Sequence, residues 1–383
     1  MAQKHRLILL LALLLVALTG CKQEKKQQPV QIQETASNIT YAKGFTVKKE
    51  GDITLVEVTS AWPGADNFTY ALVPKEKLIA MSFPRDAYDA IIGTPVEKVV
   101  LTSTTHIEPL KQLGELNTVI GFPNTDYISS PEARKLVENG QIQNLGMNDM
   151  LNTEMVLAMN PELIVGFSIN NENKAYDIIK KAGTPVVYNG DWVEHTPLGK
   201  AEWIKFFAPF FQKEALGDSI FAEVESSYLQ AKELAQKAKT KPTVLTGGLY
   251  KDVWYVAGGK SWMAKFLEDA NADYLWADNN ETGSIGLSLE SVLEKAQDAE
   301  YWFNPSAETT YTELAEANPH HQQFDAFKIK NVFSNAIDKG ETGGLIFYES
   351  APHRPDLVLK DLIKILHPEL LPQHKLQFIK PLQ

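Results

Sequence analysis

Cysteine is almost missing: the chain of 383 residues has one, Cys21, so no disulfide can close within it and its own core must hold the fold. Arginine is nearly as scarce, with Arg6, Arg85, Arg134 and Arg354 the only four. Few rigid, bidentate cations are therefore available for a multiply charged anion. The common catalytic signatures are missing too. No P-loop, G-x-S-x-G elbow, H-E-x-x-H or strand-following G-x-G-x-x-G occurs, so the enzyme classes they mark have no support. Positive charge is in deficit, and a formal net charge of -11 argues against nucleic acid or an anionic lipid surface as partner. A cell-envelope hydrolase using paired carboxylates stays open as a remote alternative, since the 48 acidic residues offer many pairs.

Among what is present, one apolar run stands out. Lys4, His5 and Arg6 precede LILLLALLLVALTG, which ends at Gly20 and is too short for a comfortable membrane span. The sequence Leu18-Thr19-Gly20-Cys21 resembles the lipobox of bacterial lipoproteins, which implies a signal peptide over 1–20 and lipidation of Cys21. An ordinary secretory signal is the alternative. Cleavage would remove Lys4 and Arg6 and take the charge from -11 to -13. Residues 21–40 are polar and without an apolar period, so they read as a flexible tether. On this reading the only membrane contact is the lipid anchor, at a surface facing the periplasm or exterior.

The folded part is expected to start as a β-rich extension over 41–90, with a hairpin turning at Glu50-Gly51-Asp52 and Trp62 as a core or edge residue. From Val96 short strands alternate with short helices, which implies a parallel sheet flanked by helices. The carboxyl ends of those strands, where such folds bind ligands, fall in the loops Thr102–His106, Phe122–Tyr127, Phe167–Asn171 and Asn189–His195. Linking helices occupy 196–240. Within them Glu214–Lys239 repeats Ile220, Val224, Ala231, Leu234, Ala235 and Ala238 at helical spacing, predicting a helix about 39 Å long. After it the strand-and-helix pattern starts again, through a strand, a Gly-rich aromatic loop and a helix. The expected fold is therefore α/β. Two lobes, 41–195 and 241–383, each carry a small, mostly parallel sheet and are joined by one long rigid helix.

Five stretches in order resemble one family over residues 95–380. They are VVLTSTTHIEPLKQLG with TVIGF, LNTEMVLAMNPELIVG, KKAGTPVVY, WYVAGGKSWMAKFLEDANADY and PDLVLKDLIKILHPELL. The chain resembles the substrate-binding lipoproteins of ABC importers that deliver ferric siderophores, cobalamin or haem. That resemblance implies no catalysis and no cofactor, a metal chelate as cargo, and an ABC permease dimer with its ATPase subunits as partner. It also implies that a glutamate near the start of a helix on each lobe, here Glu154 and Glu290, docks on permease arginines. Asn152 and Ser288 read as the N-caps of those helices, so first-turn capping is the structural alternative for both.

The ligand should lie between the lobes. The expected contacts are Thr104, Thr105, His106, Tyr127 and Phe167 from the first lobe, and Trp254, Tyr255, Trp262, Phe347 and Tyr348 from the second, aromatic walls suited to a bulky ligand with apolar faces. The shortage of arginine favours a neutral or weakly charged chelate, hydroxamate-type ahead of cobalamin. Haem or a bare transition metal is a further alternative through His106, His195 or His353, although no two of these share a helix at ligand spacing. No metal site of the protein's own is expected.

Overall fold

The computed structural model describes residues 38–79 and 87–383; the signal segment, Cys21, most of the tether and Arg85 lie outside the described residues. Residues 35–383 form one compact unit.

The extension is a four-stranded sheet, β1 (Phe45–Glu50), β2 (Ile53–Val58), β3 (Phe68–Pro74) and β4 (Ala90–Thr94). β1 and β2 pair antiparallel with Glu50 opposite Ile53, leaving Gly51 and Asp52 as the turn. Gly51 has φ 62°, a conformation that hairpin turns need and glycine adopts without steric cost. This sheet packs against the edge of the next. The Tyr188 amide donates to the Tyr70 hydroxyl at 2.9 Å, and Trp62 meets Tyr188 edge-on at 5.0 Å, so Trp62 is a core residue as expected.

The first parallel sheet uses β5 (Val99–Leu101), β6 (Val119–Phe122), β7 (Gln143–Asn144), β10 (Leu163–Gly166) and β11 (Val186–Tyr188), in the order β11-β10-β5-β6-β7. A small hairpin, β8 (Gly146–Met147) with β9 (Met150–Leu151), precedes the Thr153–Met159 helix. β5, β10 and β11 are buried along their whole length, the pattern of a parallel sheet covered on both faces.

The second sheet runs β15-β12-β17-β18-β19, from β12 (Thr243–Thr246), β15 (Asp273–Tyr274), β17 (Tyr301–Phe303), β18 (Val332–Ser334) and β19 (Lys380–Pro381). Its parallel pairs are β12 with β15 and β17, and β17 with β18, while β19 closes the edge antiparallel. The Gly-rich aromatic stretch expected as a loop is instead strand. β13 (Gly248–Tyr250), β14 (Val253–Ala257) and β16 (Ser284–Leu287) form an antiparallel sheet of their own.

One helix, Glu214–Ala235, connects the two halves and ends four residues before the expected Lys239. Its 22 residues span about 33 Å. Gly217, Phe221, Val224, Tyr228, Ala231 and Ala235 are buried, at the spacing of one helical face. It is held from both sides. Tyr41 donates to Glu225 at 2.6 Å on the extension side, while Tyr228 donates to Asp269 and Ser227 to Asp356 on the other, at 2.6 and 2.9 Å.

Candidate functional site

A cavity of about 740 Å³ opens between the two parallel sheets. One wall is the chain just past the carboxyl end of β11, with Trp192, His195 and Lys200, and the other carries Tyr255, Trp262, Phe347 and Tyr348. A second cavity of about 430 Å³ covers the carboxyl ends of β5, β6 and β10 and is lined by Thr104, Tyr127 and Phe167. Leu345 and Tyr348 line both, so the two are halves of one cleft divided by that segment.

Local patterning explains which aromatics reach the cleft. Along β14, Trp254 and Val256 are buried while Val253 and Tyr255 are exposed, the alternation any strand imposes. Trp254 therefore points away from the expected ligand contact. It lies 5.2 Å from Trp302 and from Phe324, and its indole donates to the Thr246 carbonyl at 3.1 Å. Read as a loop residue it could face the ligand; as a strand residue it belongs to the core.

His106 also departs from expectation. It is fully buried, 5.6 Å from Phe207, and burial pushes its imidazole down to about 4, so the ring is neutral at neutral pH and lies off the cleft. Thr105 is off the cavity wall too; its carbonyl accepts from His353 Nε2 at 2.7 Å. His353 is itself buried, which leaves His195 as the cleft histidine among the three. Among the described residues no three His, Cys, Asp or Glu side chains converge to hold a metal ion.

Lys200 was not anticipated, because it follows the β11 loop on a helix, Pro197–Glu202, that reads as part of the linker. Its ammonium donates to the carbonyls of Asp191 and Trp192 at 2.9 and 3.1 Å and lies 5.3 Å from the Trp262 ring centroid. Burial lowers its pKa against the opposing charges of Asp191 and Glu194. The described arginines stay out of the cleft: Arg134 donates to the Thr125 carbonyl at 2.7 Å, and Arg354 pairs with Asp356 at 2.9 Å.

Glu154 and Glu290 are both exposed in the first turn of a capped helix. Asn152 accepts from the Met155 amide at 3.0 Å and Ser288 from the Ser291 amide at 3.2 Å. Its own amide and the Ser288 hydroxyl hold the Glu290 carboxyl below the usual range. Each follows a strand closely, Glu154 after β9 and Glu290 after β16.

The sequence profile of a family described as periplasmic binding protein matches residues 99–335. An uncharacterized lipoprotein of Methanocaldococcus jannaschii, MJ0878, is 29% identical over 297 residues, 75% of this chain and 69% of that protein. Among solved structures, a periplasmic binding protein from Veillonella parvula superposes with a TM-score of 0.59 at 18% identity, covering 85% of this chain and 95% of that one. The periplasmic heme binding protein HutB of Vibrio cholerae gives 0.55 at 15% identity, over 71% of this chain and 100% of that one. At these identities the two structures speak for the fold. No helix among the described residues is long and apolar enough to cross a membrane.

Proposed function

The chain belongs to the periplasmic binding protein family, whose members bind and do not transform their ligand, and from that premise we propose that it captures an iron–siderophore chelate, hydroxamate-type favoured, for an ABC importer. The observation that carries this reading is the cleft itself. Tyr255, Trp262, Phe347 and Tyr348 face Trp192 and His195 across about 740 Å³, enough for a bulky ligand with apolar faces. Lys200 is the one buried cation on its wall among the described residues, which suits a chelate of low charge better than a highly anionic tris-catecholate. A ligand that supplies its own donor atoms also fits a cleft without a convergent metal-binding set.

Cys21 would anchor the protein to a membrane by its lipid, as the name of the Methanocaldococcus relative supports, and residues 21–40 would tether it. Glu154 and Glu290 would each meet one permease subunit. The helix Glu214–Ala235, clamped on both sides, would limit lobe closure to a small movement. Cobalamin remains an alternative cargo. Haem is the second reading, favoured by His195 with Tyr255 and Tyr348 on the cleft wall and by the structural likeness to the heme binding protein HutB.

The test is tryptophan fluorescence of the chain lacking residues 1–21, which keeps the whole compact unit. It is titrated with a ferric trihydroxamate, a ferric catecholate, cobalamin, haem and zinc. Tight saturable quenching by the trihydroxamate is expected. Saturation by haem or zinc alone would move the assignment to His195 and the tyrosines, and no binding throughout would overturn the reading.

A further inference from the structure

The extension over residues 41–90 has no role in the reading above, and the family match starts beyond it at residue 99. It nevertheless reaches the cleft. The β2–β3 loop brings Pro63 into the wall of the 740 Å³ cavity. The same loop, with the chain leading into β1, encloses a further cavity of about 350 Å³ whose lining includes Tyr41, Lys43, Thr59 and Ser60. That cavity and the cleft share Val193, Glu194 and His195, so the two are neighbours across one short segment.

This wall is built rigidly. Glu202 accepts from the amides of Thr40, Tyr41 and Ala42 at 2.7 to 3.1 Å. Glu194 Oε1 accepts from the amides of Lys43 and Gly44 and from the Trp203 indole, at 2.8, 2.9 and 3.1 Å. Two buried carboxylates thus bind five successive backbone donors, and charge-assisted bonds of this kind are the strong ones. On the other side the Ser60 carbonyl lies where a Cβ on residue 190 would come within 2.0 Å of it, so only glycine fits there. Edge protection of β11 accounts for the Tyr70 and Trp62 contacts, but it needs no hollow between this loop and His195.

We propose that this annex is a second subsite of the cleft, which receives a neutral polar arm of the bound chelate. The lining decides the chemistry. Lys43 and Glu194 bring one charge of each sign, so the lining has no net charge to favour a charged arm. The Ser60 hydroxyl and the His195 imidazole make no hydrogen bond to another described residue, so both are open to an amide or hydroxyl on the ligand. The subsite rests on the chelate reading and adds the extension to it as a determinant of ligand choice.

Two ferric trihydroxamate probes separate the possibilities: a macrocycle without side arms, and a linear chelate of the same core carrying an N-acetylated tail. The protein lacking residues 1–21 should bind the tailed probe more tightly. Ser60→Trp, which fills the annex from a surface loop, should weaken the tailed probe about tenfold, the cost of losing one or two good hydrogen bonds, and leave the macrocycle unchanged. His195→Ala should weaken the tailed probe in the same direction without touching the extension. Equal binding of both probes by the wild type, or equal losses for both in Ser60→Trp, would overturn the subsite while the cleft reading stands. Failure of both probes to bind the wild type would count against the chelate reading itself.

Discussion

The Glu349 carboxylate accepts the Ser129 amide at 2.6 Å and the neighbouring Ser130 amide at 2.8 Å, although 220 residues separate Glu349 from Ser129. Those amides lead into the Pro131–Glu138 helix, whose N-cap is Ser130. A group from the far end of the chain thereby completes a helix start on the first parallel sheet's side. The contact has company. Thr342 donates to the Asp126 carbonyl at 2.7 Å, and at Gly344 a Cβ would come within 2.4 Å of the Tyr127 carbonyl. The segment that divides the cleft is therefore sewn to the first sheet's side, while Phe347 packs 5.8 Å from Trp262 and 6.3 Å from Phe378 on the other.

Burial pushes the Glu349 carboxyl up to about 7, against the two amides, which pull it down. A carboxyl whose folded value exceeds its unfolded one adds stability that is complete below the unfolded value and is lost as pH rises through the folded one. As pH falls from about 8 to about 5 this group should therefore add on the order of 2–3 kcal/mol. His106, His321 and His353, held by burial below the ordinary imidazole value, take stability away over the lower part of that range. Glu349→Gln should remove that gain, so that stability, read as the thermal midpoint, declines more with falling pH than in the wild type, whatever the effect on the absolute midpoint. An unchanged slope in the variant would rule out Glu349 as its source.

Trp254 and Trp262 should behave in opposite ways. Trp254→Ala empties a core position between Trp302 and Phe324 and should cost about 3–5 kcal/mol in chemical denaturation. Trp254→Phe should lower stability less and leave ligand quenching intact. Trp262→Phe, on the cleft wall, should keep the midpoint within about 1–2 kcal/mol and reduce the fluorescence change on binding. Equal quenching by wild type and Trp262→Phe would place the ligand elsewhere.

Charge reversal at Glu154 and Glu290 tests docking. The double variant Glu154→Lys, Glu290→Lys should abolish uptake in cells while ligand affinity, read by titration, stays at the wild-type value. Either change removes an acidic residue from a helix first turn, so a small drop in stability accompanies it, a few tenths of a kcal/mol to about 1 kcal/mol per site. Lost ligand affinity would move both carboxylates from docking to the pocket.

The expectations that survived rest on local rules. Gly51 in its turn, Asn152 and Ser288 as caps, the apolar runs of β5, β10 and β11 and the long amphipathic helix all follow from a few neighbouring residues. The site was less legible. Thr104, Tyr127, Phe167, Tyr255, Trp262, Phe347 and Tyr348 line the cleft, whereas Trp254 and His106 are core and Thr105 is spent on the Ser103 hydroxyl and His353. A one-residue offset decides such cases, because a strand turns successive side chains to opposite faces. For Trp254 the misreading began with taking β13 and β14 for a loop. The two pair with each other across Lys251 and Asp252, and β14 gains a second partner in β16, some thirty residues on.

Sequence alone determined the class of the fold, the order of its halves and the family resemblance, since periodicity, capping and turn chemistry act over a few residues. Tertiary structure decided what those halves enclose. Lys200 becomes a cleft residue only when the Asp191–Val193 turn folds its carbonyls over the ammonium. The extension becomes a wall only when Glu194 and Glu202 gather five amides from 150 to 162 positions away. Burial and long-range hydrogen bonding set both, and neither leaves a periodic trace in the chain.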